Sequence, residues 1–291
     1  MARRAAAVGC DSTPMSTRIV TDSAADLPPA LAAELQITVV PAIVRFGTES
    51  FEDRVDLSAA QFYQRLATSA TLPQTSAPAP GRFAVEYERL IQDGHDVVVV
   101  TVIGGMSGIY NAARLAAQDY PGRVQVVDST NLSLAEGWVA VAAARAARDG
   151  AGLAEVATLA ESLTPHVHLW AVLDTLEFAY RGGRVNAAQA WVGGLLQVKP
   201  ILDIYDSKVV VGERVRTLHK AVARLIQIVA EAGPLAEIGV IHAAAPELGA
   251  EVQRRLQASY PGRDIALVET GPGVGVHAGP GAVGVAVLLS A

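Results

Sequence analysis

Two kinds of segment alternate along the first half of the chain. Val97 to Val102 and Val124 to Val127 are continuous apolar runs, the pattern of parallel strands covered on both faces. Arg18 to Thr21 is a shorter strand that runs into Asp22-Ser23. Helical spacing marks Arg82 to Gln92, Tyr110 to Gln118 and two alanine-rich stretches, Leu132 to Arg148 and Leu153 to Leu163. Asp26, ahead of Pro28 and Pro29, reads as the N-cap of a helix reaching Leu35, and Ser58 as the cap of one reaching Thr68. The β-branched run Ile37 to Phe46 holds Pro41, which predicts an edge or a bulge. Thr71 to Gly81 has three prolines and no helical period, so it predicts an ordered loop or a linker. Alternating strands and helices predict an α/β domain with a mostly parallel sheet.

Pro165 marks a boundary, after which the pattern changes to a mixed one. Strand His168 to Leu173 is followed by a short helix near Leu176 to Tyr180, the turn Arg181-Gly182-Gly183-Arg184 and a helix Ala187 to Leu195. Val198 to Tyr205 and Val209 to Val215 predict a hairpin around Asp206-Ser207. A helix Leu218 to Ala232, a strand Ile238 to His242, a helix Glu247 to Ser259 and a strand from Ile265 lead to Gly271 to Gly284. That stretch holds six glycines, two prolines and one histidine. It predicts a shaped loop that opens no helix and holds His277 between two buried strands. The expected organisation is a disordered extension over residues 1–16, with Met15 near the domain start, then an N-terminal α/β domain over 17–164. A C-terminal α/β domain with a mixed sheet and helices follows over 165–291.

Composition narrows the function classes. The chain has 291 residues, 51% hydrophobic and 18% charged, enough for sizeable cores and an apolar cavity. A net charge of −6 without a polybasic block argues against nucleic acid and against firm anchoring on anionic lipid. The single cysteine, Cys10, suits a reducing cytoplasm. No apolar run approaches the ~18 residues of a membrane helix. The histidines show no metal-ligand spacing, no Walker-type phosphate loop is present, and Gly105-Met106-Ser107-Gly108-Ile109 lacks the second glycine of a nucleophile elbow.

Four polar residues stand on Gly/Pro-rich loops or at strand ends: Thr75, Ser107, Arg216 and His277. Ser107 follows a strand and precedes a helix, where backbone N–H groups favour an anion. Two hydroxyls, a guanidinium and an imidazole would together suit a carboxylate. Each also has a purely structural reading. Thr75 caps a turn, Ser107 caps its helix, Arg216 is a solvated helix-start arginine, and His277 is solvated or held structurally. A hydrolase of acyl esters using Ser107 with His277 is the rival from another class, and a carrier of another amphiphile is a third reading.

Several stretches together resemble the DegV family. They are TDSAADLP (Thr21 to Pro28), TSAPAPGRF (Thr75 to Phe83), MSGIYNAA (Met106 to Ala113), VVDSTNLS (Val126 to Ser133), Leu173 to Leu202, VRT (Val215 to Thr217) and HAGPGAVG (His277 to Gly284). The resemblance spans Arg18 to Leu289. It implies a two-domain α/β protein that makes no bond itself and needs no cofactor. Such a protein binds one long-chain fatty acid of the palmitate, stearate or oleate type in a buried apolar tunnel near the interface of its two domains and presents its carboxylate to a separate fatty acid kinase catalytic subunit, with transient membrane contact allowed. Residue by residue, Thr75 and Ser107 become hydroxyl partners of the carboxylate. Arg216 becomes its charge partner or a kinase-docking residue, and His277 a further donor. Ser76, Gly105, Gly108 and Gly279 support them. Ile103-Gly104 stands where the family usually has two serines, Ala77 and Ala79 replace Gln and Ser, and Ala278 replaces Thr, so a less polar head-group pocket is expected.

Overall fold

The computed structural model describes residues 16–186 and 198–290. The helix expected over Ala187 to Leu195 and nearly all of the expected N-terminal extension lie outside the described residues. The first half runs β1 (Thr17–Asp22), α1 (Pro29–Glu34), β2 (Thr38–Val40), β3 (Ile43–Phe46), β4 (Glu49–Glu52), α2 (Ala59–Thr68) and β5 (Gln74–Ser76). It continues through α3 (Pro80–Gln92), β6 (Asp96–Thr101), α4 (Ile109–Ala117), β7 (Val124–Asp128), α5 (Leu134–Arg148) and α6 (Leu153–Leu163). Strands β2-β1-β6-β7 form a four-stranded parallel sheet. Pro41 ends one strand and the next begins two residues later in another sheet. There β4-β3-β5 pair antiparallel, Val44 opposite Thr75. The stretch expected as an irregular loop thus contains a short strand, and that strand carries Thr75.

The second half contributes β8 (Val167–Val172), α7 (Glu177–Arg181), β9 (Lys199–Tyr205), β10 (Lys208–Val215) and α8 (Leu218–Glu231). It ends with β11 (Leu235–His242), α9 (Pro246–Ser259), β12 (Ala266–Glu269), α10 (Pro272–Ala278) and β13 (Val283–Leu289). Its sheet is mixed, in the order β10-β9-β8-β13-β11-β12, with only β11 and β12 parallel. Asp206 and Ser207 both take positive φ in the β9–β10 turn, as a tight hairpin requires.

Helix α5 lies between the two large sheets, touching β1 and β6 on one side and β8, β13 and β11 on the other. A helix covered on both sides must be apolar nearly all round and thin. Alanine, valine and glycine meet that condition here. A Cβ on Gly137 would come within 2.9 Å of Ala25 O. Opposite, a Cβ on Gly239 would sit 2.8 Å from Leu134 and 2.9 Å from Trp138. The Trp138 indole donates to Ala286 O at 3.2 Å, fixing the helix to β13. No helix among the described residues is long and apolar enough to cross a membrane.

Two local expectations are corrected. Asp26 is not the N-cap of α1, whose cap position is Pro28. It ends a 3₁₀ turn with φ 49° and is buried, and its carboxylate is used elsewhere. The glycine-rich stretch does open a helix, α10, with Gly271 at its N-cap and Pro272 in its first turn. Tertiary packing overrides the poor helix propensity of glycine here.

Candidate functional site

A cavity of about 230 Å³ lies where the three sheets meet. One water needs only ~10–15 Å³ on the same measure, so the cavity is sized for a ligand of many atoms. Its walls are mostly aliphatic and come from both halves of the chain. Its polar side chains are Thr75 and Ser76 on β5, Ser107 before α4, Arg184 after α7, His277 in the last turn of α10, and His242 and Thr270 at the ends of β11 and β12. Among the described lining residues Arg184 is the one permanently charged group, and no carboxylate lines the cavity. The field there favours an anion.

Thr75 Oγ1 and His277 Nε2 share a hydrogen bond of 3.0 Å. Burial, helped by the nearby Arg184 charge, pushes the His277 imidazole down to about 3, so it is neutral near pH 7. Its Nδ1 is buried without a hydrogen-bond partner among the described residues and packs against Gly182, where a Cβ would collide with it. Arg184 reaches in from the same turn. It donates to Gly182 O at 2.6 Å and to Met106 O at 3.1 Å, which ties the loop before α4 to the loop after α7. Burial lowers the pKa of Arg184 from its ordinary value without threatening its charge. Ser107 is not the N-cap of α4, which is Gly108; it stands one residue earlier, where its Oγ accepts from Ile109 N at 3.3 Å while lining the cavity.

The structure therefore brings together Thr75, Ser107 and His277, with Ser76 and Gly108 also on the wall. Arg216 stands elsewhere: it is exposed between β10 and α8 and outside the cavity lining. Gly105 is exposed and off the wall. Gly279 is off the wall too, but with φ 72° it ends α10 against the Phe178 ring. The guanidinium facing the cavity is that of Arg184, which sequence patterning placed only in a turn. Its signal was two arginines bracketing Gly182-Gly183, a common surface-turn composition.

A buried polar cluster holds α10 in place. Asp26 accepts from Gly271 N (2.7 Å), Thr270 Oγ1 (2.5 Å), Ser133 Oγ (2.7 Å) and Arg54 (2.6 Å). Asp53 accepts from Gly273 N at 3.0 Å and Ser23 Oγ at 2.8 Å. Burial pushes Asp53 up to about 7. The glycines of α10 are needed for this approach. A Cβ on Gly273 would lie 2.8 Å from Asp53 Oδ2, and one on Gly275 2.6 Å from Tyr63 Oη. A separate acid pair, Asp22 and Glu136, is buried beside β1, and burial raises both.

A serine-hydrolase dyad is not assembled. The Nε2 of His277 is engaged by Thr75, and the Ser107 hydroxyl by Ile109 N. Among the described residues no carboxylate contacts His277 Nδ1 to orient the ring, as a triad would require.

Comparison with known proteins adds to this geometry. Residues 16–290 match the profile of a family described as "Uncharacterised protein, DegV family". A DegV domain-containing protein of Deinococcus radiodurans is 37% identical over 281 residues, covering 94% of this chain and 98% of the relative. Protein DegV of Bacillus subtilis is 33% identical over 278 residues, covering 93% and 98%. Among solved structures, a fatty-acid-binding DegV family protein from Thermus thermophilus superimposes with a TM-score of 0.88 at 30% identity, covering 95% of this chain and all of that one. DegV from Bacillus subtilis, described as a fatty acid binding protein, gives 0.85 at 30% identity with the same coverage.

Proposed function

The chain belongs to the DegV family, and on that premise we propose that it carries one long-chain fatty acid and presents its carboxylate to a separate fatty acid kinase subunit. The observation that carries this reading is a mostly aliphatic cavity whose described lining includes Thr75, Ser107, Arg184 and His277, with one permanent cation and no carboxylate. Two similar structures are of fatty-acid-binding proteins, which supports the same ligand class.

The energetics divide the work between the two ends of the ligand. Burying about fifteen methylenes at ~0.8 kcal/mol each gives on the order of 12 kcal/mol before ordering costs. The carboxylate must find donors on arrival, or burial would cost several kcal/mol. Neutral His277 leaves the Thr75–His277 pair free to orient so that a proton faces the ligand. Arg184 supplies the charge. Arg216 is exposed and separate from this group, which favours its other proposed role, contact with the kinase subunit in the cytoplasm.

Mass spectrometry of lipid extracted from the purified protein tests the carrier reading. One saturated or monounsaturated fatty acid per chain is expected, and a protein that is empty or filled with a non-acyl ligand would overturn it. In the same preparation Arg216→Ala should retain the acid yet slow acyl-phosphate formation by an added fatty acid kinase catalytic subunit with ATP. Loss of the bound acid in that variant would return Arg216 to the head-group site.

A further inference from the structure

We infer that the β9–β10 hairpin and the loop leading into α5 form the stop that sets how long an acyl chain this protein accepts. This rests on the carrier reading and adds the residues that decide chain length.

The register of the mixed sheet fixes the shape of the cavity floor. Side chains on the face toward α5 form rows that cross the strands. One row holds Leu202, Ala171, Gly284 and Ile241, paired in succession across β9, β8, β13 and β11. The row nearer α10 holds Leu173 and Ala282, one step past the Val172–Val283 pair. Small residues in the middle of these rows leave open floor. The row farther from α10 differs along its length. At its β11–β13 end, Gly239 and Ala286 are covered by Leu134 and Trp138, and neither lines the cavity. At its other end Leu169, Ile204 and Val209 do line it, in register across β8, β9 and β10. The open path therefore runs diagonally, from Ala282 beside α10 to Val209 on β10.

Leu132 lines the cavity too, and its neighbour Asn131 places it beside β8 and β9 at this corner. The corner is tied together by polar contacts. Asn131 Nδ2 donates to Ile204 O at 2.9 Å and to Val167 O at 3.1 Å, and Ser207 N donates to Thr130 O at 3.0 Å. A stop fastened to two sheets yields little to a longer ligand.

The dimensions follow from strand geometry. Four residues along β8 span about 13 Å, and three strand spacings from β13 to β10 about 14 Å, a diagonal of about 19 Å. At ~1.2 Å per bond, the advance of an extended polypeptide backbone, that length holds about sixteen bonds. The path suits acids of about sixteen to eighteen carbons.

The test compares lipid extracted from wild type, Ala171→Leu, Val209→Phe and Val209→Ala, with competition binding by saturated acids of defined length. Val209 is only half-buried, so its variants keep the fold where Ala171→Leu fails. Each excluded methylene costs about fourfold in affinity. Ala171→Leu and Val209→Phe should therefore lower the preference for an eighteen-carbon over a fourteen-carbon acid at least tenfold. Val209→Ala should shift the extracted acids longer. Folded variants with the wild-type length profile would overturn the stop while leaving the carrier reading intact. Wild-type protein that yields no fatty acid would overturn both.

Discussion

Thr75 and His277 are 202 positions apart in the chain and meet through one hydrogen bond, so the state of that imidazole has consequences beyond the ligand. An ordinary histidine titrates near 6.5, whereas burial holds His277 at about 3. Between those values the unfolded chain binds a proton that the folded chain refuses. Folded-state stability from this residue is therefore fully present above pH ~6.5 and is lost as pH falls toward ~3, by at most about 1.4 kcal/mol per pH unit. Asp53 and Asp22, held at about 7 and about 6, act in the opposite sense and lose their contribution as pH rises through those values. The contrast between wild type and His277→Gln isolates the imidazole. Urea titrations at a series of pH values should show the wild type losing more stability than the variant between pH 6.5 and 4, and parallel curves would refute the depressed imidazole. Thr75, Ser107 and His277 were legible in the sequence because hydroxyls and an imidazole on Gly/Pro-rich segments have few packing roles. Arg184 was not, because its neighbours spell an ordinary turn and its target, Met106 O, lies 78 positions away.

Single residues reach the site only because short elements carry them, and α10 is the one that sequence pattern concealed. Two of its seven residues, Gly273 and Gly275, lie close against Asp53, Tyr63 and Phe62, a demand from other segments that no periodicity displays. The same holds for Asp26: next to two prolines it looks like a helix cap, yet its partners are Thr270 and Gly271, more than 240 positions on. By contrast the buried strands β6 and β7 and the alanine-rich α5 and α6 were plain, since their apolar runs and spacing reflect local rules. The packing of α10 makes a prediction opposite to helix propensity. Alanine would favour a helix over glycine by about 1 kcal/mol. In Gly275→Ala, however, the new Cβ would meet Tyr63 Oη at 2.6 Å and Phe62 at 2.9 Å, so overpacking of about 1–3 kcal/mol should win. Thermal melts should show a less stable protein, and calorimetric binding of a long-chain acid should weaken as His277 is displaced. A stabilised variant with unchanged binding would mean that α10 tolerates the shift.

Across the whole molecule the layers run α3 and α4, the parallel sheet, α5 and α6, the mixed sheet, then α8 and α9. Their apolar faces bring the layers together but leave them free to slide, since apolar contact has no direction. Directional contacts between layers fix their alignment, and Asn131 makes several of them. Its backbone carbonyl accepts from Ile103 N at 2.8 Å on the parallel-sheet side. Its side chain donates to Val167 O and Ile204 O in the mixed sheet, and its Oδ1 accepts from Leu132 N at 3.0 Å. The residue is fully buried, so no water replaces a lost partner without a cavity to hold it. Asn131→Ala strands two buried carbonyls and one N–H, at roughly 1–3 kcal/mol for each group left unsatisfied. Asn131→Asp keeps the shape and the acceptor for Leu132 N, but it turns an acceptor toward two carbonyl oxygens. If Asn131 aligns the layers, both variants should lower the denaturation midpoint, with the aspartate at least as harmful as the alanine at neutral pH. Amide exchange should then quicken first in β9 and β10, where the tail stop depends on the same side chain. An aspartate variant as stable as wild type, with protection in the hairpin unchanged, would show that packing alone sets the alignment.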